Sequence, residues 1–123
     1  MKLGDRRRLL GGRGEAIAVR YLMERGFRIL HRNWRCRSGE LDIVADDGEE
    51  LVFVEVRTRR HTGTKGTAEE SVDFRKQRRV RETALVFMRQ HRLLHRKMRF
   101  DVVTVTFGDH DGELMINHIK YAF

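Results

Sequence analysis

Two short apolar runs that carry carboxylates constrain the fold more than any other feature of the sequence. Residues 38–60 read SGELDIVADDGEELVFVEVRTRR, in which Glu40, Asp42 and Glu55 stand among Leu, Ile, Val and Phe. Both runs are rich in strand-forming residues, and an Asp-Gly pair in the intervening DDGE is a hairpin signal. We therefore expect two antiparallel strands with both faces covered. A carboxylate inside such strands costs free energy unless a cation meets it.

Periodicity along the chain predicts one α/β domain over residues 1–123, with an α-β-β-β-α-β-β order of elements. The predicted helices cover about residues 13–25 and 71–91, and the extended runs cover residues 27–36, 39–45, 50–58, 99–107 and 113–123. Gly26 is expected near the end of the first helix, and Ser71 is expected to cap the start of the second. The basic, Gly-rich stretch at 59–67 is predicted to be a loop. A mixed β-sheet flanked by helices follows.

Strand alternation predicts which side chains of the two acidic strands share a face. One face holds Glu40, Asp42 and Val44 of the first strand with Leu51, Phe53, Glu55 and Arg57 of the second, and Leu41, Ile43 and Ala45 share the opposite face. The turn favours a register with Glu40 opposite Glu55, and a slip of two residues would place Asp42 opposite Glu55 instead. Either register crowds three carboxylates, a repulsion that a hard divalent cation would relieve.

Each helix adds a charged residue to its apolar stripe. Glu15 lies three residues before Ala18, so it is either a site residue or a charge that favours the helix dipole. Lys76 and Gln77 precede Val80 and extend the apolar stripe of the second helix by one turn toward its N-terminus. Lys76 either reaches the site or passes its aliphatic stem along the core edge.

The distribution of charge indicates a polyanionic partner. The net charge is +8, yet residues 40–56 contain seven acidic residues and no Lys or Arg. Residues 57–99 contain 14 basic and 4 acidic residues. A basic field recruits nucleic acid, and an acidic centre within it suits a metal-dependent enzyme that acts on phosphodiesters.

The remaining composition narrows the setting. A single Cys36 excludes an internal disulfide, and we expect a cytoplasmic protein. No apolar run reaches the roughly 20 residues that a membrane helix needs, so no membrane partner is expected. The six His residues form no zinc-enzyme motif.

The carboxylates match a known pattern. Asp42 followed by Glu55-Val56-Arg57 resembles the Asp…(Asp/Glu)-x-Lys motif of restriction-endonuclease-like nucleases, whose core order the chain also resembles. From residue 12 to about 105 the chain resembles the YraN-like family of small bacterial proteins. That resemblance is carried by GEAIAVRYLMERGFRILHRNWRCRSGELDIVADDGEELVFVEVRTR, KQRRVRETALVFM and RFDVVTV. The same carboxylate arrangement is similar to that of archaeal Holliday-junction resolvases, in which a Glu and a Gln on helices, here Glu15 and Gln77, border the site.

The resemblance implies a restriction-endonuclease-like fold and a metal-dependent nuclease. Asp42, Glu55, Arg57 and Glu40 are the expected catalytic residues, and Asp42, Glu55 and Glu15 are the expected ligands of Mg²⁺ or Mn²⁺. The expected nucleic-acid contacts are Arg59, Arg60, Lys65, Arg75, Lys76, Gln77, Arg78 and Arg79. DNA, including branched DNA, is the expected substrate, and a homodimer is compatible with it.

One departure from the motif leaves a second function open. Arg57 occupies the position of the motif's Lys, and a guanidinium can stabilise charge but cannot act as a general base. The alternatives are a non-catalytic nucleic-acid-binding module that retains the nuclease fold, and an accessory protein of RNA or the ribosome. Trp34 either stacks on an unpaired base or belongs to the core.

Overall fold

The computed structural model describes residues 3–60, 72–109 and 113–123, with side chains from residue 11 onward. The elements are α1 (Leu3–Glu24), β1 (Arg28–Cys36), β2 (Gly39–Asp46), β3 (Leu51–Arg60), α2 (Phe74–Gln90), β4 (Met98–Phe107) and β5 (Leu114–Ile119). They form one five-stranded sheet in the order β1-β2-β3-β4-β5. The β3–β4 pair is parallel and the other pairs are antiparallel, so the sheet is mixed. The predicted α/β class and element order are confirmed.

The first helix is longer than the sequence predicts. It ends where expected: Gly26 has φ 89°, its amide donates to Met23 O, and the Phe27 amide donates to Leu22 O at 3.0 Å, which is a Schellman cap. Its start at Leu3, rather than near residue 13, is a correction. The glycines of this segment lower helix propensity, but Gly14 lies against β3, where a Cβ atom would overlap Thr58 Oγ1. Close packing of the helix on the sheet therefore outweighs local propensity.

The second helix begins later than predicted. Its N-cap is Asp73, whose Oδ1 accepts a hydrogen bond from the Lys76 amide at 2.9 Å, and the helix runs over Phe74–Gln90. The predicted cap, Ser71, lies outside the described residues. Arg59 and Arg60, which were predicted to start a loop, instead end β3.

Both faces of the sheet are covered, as the apolar strands predict. The α1 side buries Ala18, Leu22, Ile43, Ala45, Val52, Val54, Val103 and Val105, and the α2 side buries Val44, Leu51, Phe53, Val80, Ala84, Phe87, Met88 and Phe100. Trp34 packs against the second group, with its ring 5.3 Å from that of Phe87, so its core role is borne out. In the part of the chain that the structure describes, no helix has the length and apolar character to cross a membrane.

The register of the acidic hairpin is the second of the two considered. Ile43 pairs with Val54 and Asp46 with Leu51, so the favoured register, with Glu40 opposite Glu55, is wrong. The physical reason is the turn. Asp47 Oδ1 accepts hydrogen bonds from the Glu49 and Glu50 amides, which closes a four-residue loop rather than a two-residue one.

Strand β2 also departs from simple alternation. Leu41 belongs to the α2-side core although Ile43, two residues later, belongs to the α1-side core, so their predicted shared face is wrong. The described β2–β3 pairing ends at Ile43 and Val54. Beyond it, the Val56 amide donates to Asp42 Oδ2 at 2.9 Å, so a carboxylate takes the place of a strand carbonyl. The change of face between Leu41 and Ile43 places Asp42 at the end of the paired ladder.

Candidate functional site

A cavity of about 660 Å³ lies where β2 and β3 part, between the two helices. Four carboxylates and three cationic side chains line it. They are Glu15, Asp42, Glu55, Asp73, Arg57, Lys76 and Arg79, with Gly11, Val56 and Thr58 completing the wall. Asp42 and Glu55 therefore share one site, as the sequence predicts.

Asp42 is a half-buried carboxylate whose charge its surroundings compensate only in part. Among the described residues, the hydrogen-bond donor that it meets is the Val56 amide. Burial raises the pKa of Asp42 to about 7, and the negative charges of Glu55 and Glu15 add to the effect. The site thus stores repulsion when Asp42 is ionised.

Glu55 is met by a cation from α2. Lys76 Nζ lies 3.2 Å from Glu55 Oε1, and the two side chains are 46% and 7% exposed. Burial raises the pKa of Glu55, and the charge and hydrogen bond of Lys76 oppose that rise. Lys76 therefore reaches the site, but it pairs with Glu55 and leaves Asp42 without an ion pair among the described residues.

The other two predicted acids, Glu15 and Glu40, lie in different places relative to the main cavity. Glu15 lines the cavity from the second half of α1, so it is neither at the helix N-terminus nor a capping charge. Glu40 lies to one side, where its Oε2 accepts a hydrogen bond from Arg35 Nε at 2.9 Å. It lines a smaller cavity of about 270 Å³ that Asp42 and Lys76 also border.

Two of the predicted nucleic-acid contacts, Lys76 and Arg79, line the main cavity. Arg75, Lys76, Arg78 and Arg79 are exposed on the first turns of α2, and Arg57 and Arg60 are exposed on β3, where Arg59 is half-buried. Gln77 does not line the cavity; its Nε2 donates to Val72 O at 2.7 Å and secures the start of the helix. Lys65 lies outside the described residues.

The carboxylates of the cavity suit a magnesium site completed by waters and substrate better than a site made of protein ligands alone. Within residues 3–60, 72–109 and 113–123, no three His, Cys, Asp or Glu side chains form a group that could hold a metal ion. The predicted set of three direct ligands is therefore not preassembled. Mg²⁺, however, is commonly held by one or two carboxylates together with waters and substrate phosphates. Asp42 and Glu55 fit that arrangement.

Asp101 is a second buried carboxylate, and its contacts are those of an acid that stabilises the fold. Asp101 stands in an apolar strand as Asp42 does, yet Arg99 Nε lies 3.0 Å from its Oδ1 and His118 Nε2 lies 2.8 Å from its Oδ2. The Tyr121 amide donates to Oδ1 as well. Although burial acts to raise the pKa of Asp101, these contacts lower it. Sequence reasoning missed this network, although an Asp within RFDVVTV is the same signal that singled out Asp42.

Comparisons with known proteins identify relatives over nearly the whole chain. Residues 14–105 match the model of the Uncharacterised protein family UPF0102. A UPF0102 protein of Anaeromyxobacter dehalogenans is 52% identical over 120 residues, which cover 98% of this chain and 87% of the relative. A UPF0102 protein of Rhodococcus opacus is 47% identical over 93% of this chain and 95% of its own length. One from Moorella thermoacetica is 48% identical over 95% of this chain and 97% of its own length. None of these names states an activity.

Proposed function

The chain belongs to the bacterial family UPF0102, as its resemblance to the YraN-like proteins predicts, and we propose that it is a metal-dependent nuclease acting on DNA at the cavity between Asp42 and Glu55. One observation carries the proposal. Asp42 and Glu55 share a cavity rimmed by basic side chains, and among the described residues Asp42 forms none of the ion pairs that hold the structural acid Asp101.

Asp42 and Glu55 are the side chains that would hold Mg²⁺ or Mn²⁺, and Glu15, which also lines the cavity, would accept a hydrogen bond from a water on the ion. The bound ion would polarise a phosphoryl oxygen and lower the pKa of a water. We also propose that the fold is restriction-endonuclease-like.

Arg57, Lys76 and Arg79 act on the phosphate. Arg57 and Arg79 line the cavity, where a guanidinium can stabilise charge that develops on a phosphate. Lys76 neutralises Glu55 in the free protein, and its half-exposed ammonium can turn to a phosphate oxygen when DNA enters. None of the three needs to act as a base.

The surrounding arginines hold the DNA backbone. Arg75, Arg78 and Arg79 project from the helix beside the cavity, and Arg60 continues the basic surface along β3. Contacts of this kind bind phosphates without reading sequence. We further propose that cleavage is selective for branched DNA.

A second function follows from a different observation. The Lys76–Glu55 ion pair already supplies a cation to one carboxylate, and Arg57 stands where the nuclease motif has Lys. A non-catalytic nucleic-acid-binding module that retains the same architecture would need no metal. This alternative predicts DNA binding that is indifferent to Asp42.

A cleavage screen separates the two functions. Linear, single-stranded, flap and four-way DNA are incubated with Mg²⁺, Mn²⁺ or EDTA, using wild type, Asp42→Asn and the control Glu82→Gln. Glu82 is an exposed acid on α2 that does not line the cavity. Metal-dependent cleavage by wild type and Glu82→Gln, but not by Asp42→Asn, supports the nuclease. Equal DNA binding by all three proteins with no cleavage in either metal supports the binding module.

A further inference from the structure

An exposed aromatic ring stands beside the cavity. Phe74, the first residue of α2, is 85% exposed, more than any other large hydrophobic residue that the structure describes. The preceding residue, Asp73, and Lys76 two positions later both line the cavity. Phe74 therefore lies at the rim of the site.

Folding does not account for the ring. Phe74 belongs to neither core cluster of the described residues, and the buried stripe of α2 begins six residues later at Val80. Trp34, the aromatic for which the sequence left base stacking open, is packed against Phe87. At 85% exposure the ring gains little hydrophobic stabilisation from the fold, so it is available to contact a ligand of the cavity.

The backbone beneath the ring is well anchored. The Lys76 amide donates to Asp73 Oδ1, the Gln77 amide donates to Asp73 O, and Gln77 Nε2 donates to Val72 O. Val72 itself is buried. A ring carried on a fixed turn loses little conformational entropy when it binds a flat partner.

Charge beside the ring indicates what that partner is. Arg75 follows Phe74 directly, and Arg78 lies on the same helical face, four residues on; both are exposed. A flat apolar surface next to cations matches a nucleotide, whose base stacks while its phosphates meet the charges.

We propose that Phe74 stacks on an unpaired base of the strand whose phosphate occupies the cavity, so that the substrate is single-stranded or locally unpaired DNA. This assignment rests on the proposed function for the placement of the strand. In an intact duplex each base face is already covered by its neighbours, so the ring would have to unstack a base step to bind. Because every base has a π-face, the preference is for unpaired structure and not for sequence.

Equilibrium binding in EDTA tests this without any need for cleavage. Fluorescence anisotropy compares an oligothymidylate with a duplex of the same length, for wild type, Phe74→Ala, Phe74→Trp and the control Leu85→Ala. Leu85 is 49% exposed on the same helix and does not line the cavity. Phe74→Ala should weaken single-strand binding by about 5- to 150-fold and duplex binding by less than about 2-fold. Phe74→Trp should restore binding and add fluorescence quenching beyond that of wild type, whose one tryptophan is Trp34.

Several results would overturn the inference. One is that Phe74→Ala loses equal affinity for single strands and duplex, or loses none. Another is that Leu85→Ala loses as much affinity as Phe74→Ala. A third is that Phe74→Ala acts by changing the oligomeric state. The two proposals fail separately. Phe74-dependent single-strand binding without cleavage in any metal sinks the nuclease alone, whereas Asp42-dependent cleavage with no effect of Phe74→Ala sinks the stacking role alone.

Discussion

Replacing Asp42 by Asn should stabilise the protein in the absence of metal. The carboxylate is half-buried beside Glu55 and is held by an amide, and burial raises its pKa to about 7. Asn keeps an oxygen that can accept from the Val56 amide while the charge disappears. The Lys76–Glu55 ion pair remains in place.

The magnitude follows from the pKa. A carboxyl whose pKa is about 7 in the folded protein and 3.8 when unfolded loses about 4 kcal/mol of folding free energy once fully ionised. Partial exposure and solvent screening reduce this to about 1–2 kcal/mol. For a chain of 123 residues that corresponds to a rise in Tm of about 4–8 °C.

The pH dependence has a definite sign. Between about pH 4 and pH 7 the folded protein holds a proton on Asp42 that the unfolded chain has released, so wild-type stability falls as pH rises through this window. Asp42→Asn lacks this contribution. Its advantage over wild type should be full near pH 8 and absent near pH 4.

Urea unfolding at both pH values measures the difference, with Asp47→Asn as the matched control. Hydrogen bonds from the Glu50 and Glu49 amides and from Arg99 outweigh burial and lower the pKa of Asp47 to about 2. Neutralising it should therefore destabilise the protein by about 1–2 kcal/mol near pH 8. If Asp42→Asn is less stable than wild type near pH 8, as Asp47→Asn is expected to be, then Asp42 is a structural acid and the reasoning is refuted.

The remaining predictions concern the metal, DNA, the ion pair of Asp101 and the packing of Gly14. Mn²⁺ at about 100 times its Kd should stabilise wild type by about 2.7 kcal/mol and Asp42→Asn by nothing, as thermal unfolding would show; equal shifts would place the ion elsewhere. If about five phosphates are neutralised, log affinity for DNA should fall with log salt at a slope near −4 to −5 in a titration, and a slope near zero would mean that the charge only solubilises. Asp101→Asn should cost about 3 kcal/mol in urea unfolding because Arg99, buried at 5% exposure, loses a partner; a cost below about 1 kcal/mol would contradict this. Gly14→Ala should cost about 1–3 kcal/mol by the same assay because its Cβ would overlap Thr58 Oγ1, and Thr58→Ala in that background should recover part of the loss.

Local signals in the sequence predicted the elements well and their boundaries less well. The order of helices and strands, the Schellman stop at Gly26 and the buried stripe of α2 follow from periodicity and turn chemistry, which act between near neighbours. The start of α1 could not be read in this way. Its glycines weaken the helix locally, whereas the contact that needs Gly14 comes from Thr58, more than forty residues away.

The candidate site shows the same division. The sequence by itself placed Asp42 and Glu55 in adjacent apolar strands and put a basic helix after them, because alternation and charge are properties of the chain. It could not choose the hairpin register, since the side chain of Asp47 decides the loop length. It also could not distinguish Asp42 from Asp101, which carry the same local signal.

Tertiary structure alone decided which buried acid is satisfied. Asp101 meets Arg99 from its own strand and His118 from β5, and Lys76 from α2 pairs with Glu55, whereas Asp42 forms no ion pair among the described residues. These pairings depend on how strands and helices that are distant in sequence come to lie side by side. The electrostatic cost of a buried charge is set by the groups within a few ångströms of it, and those groups are fixed only when the chain has folded.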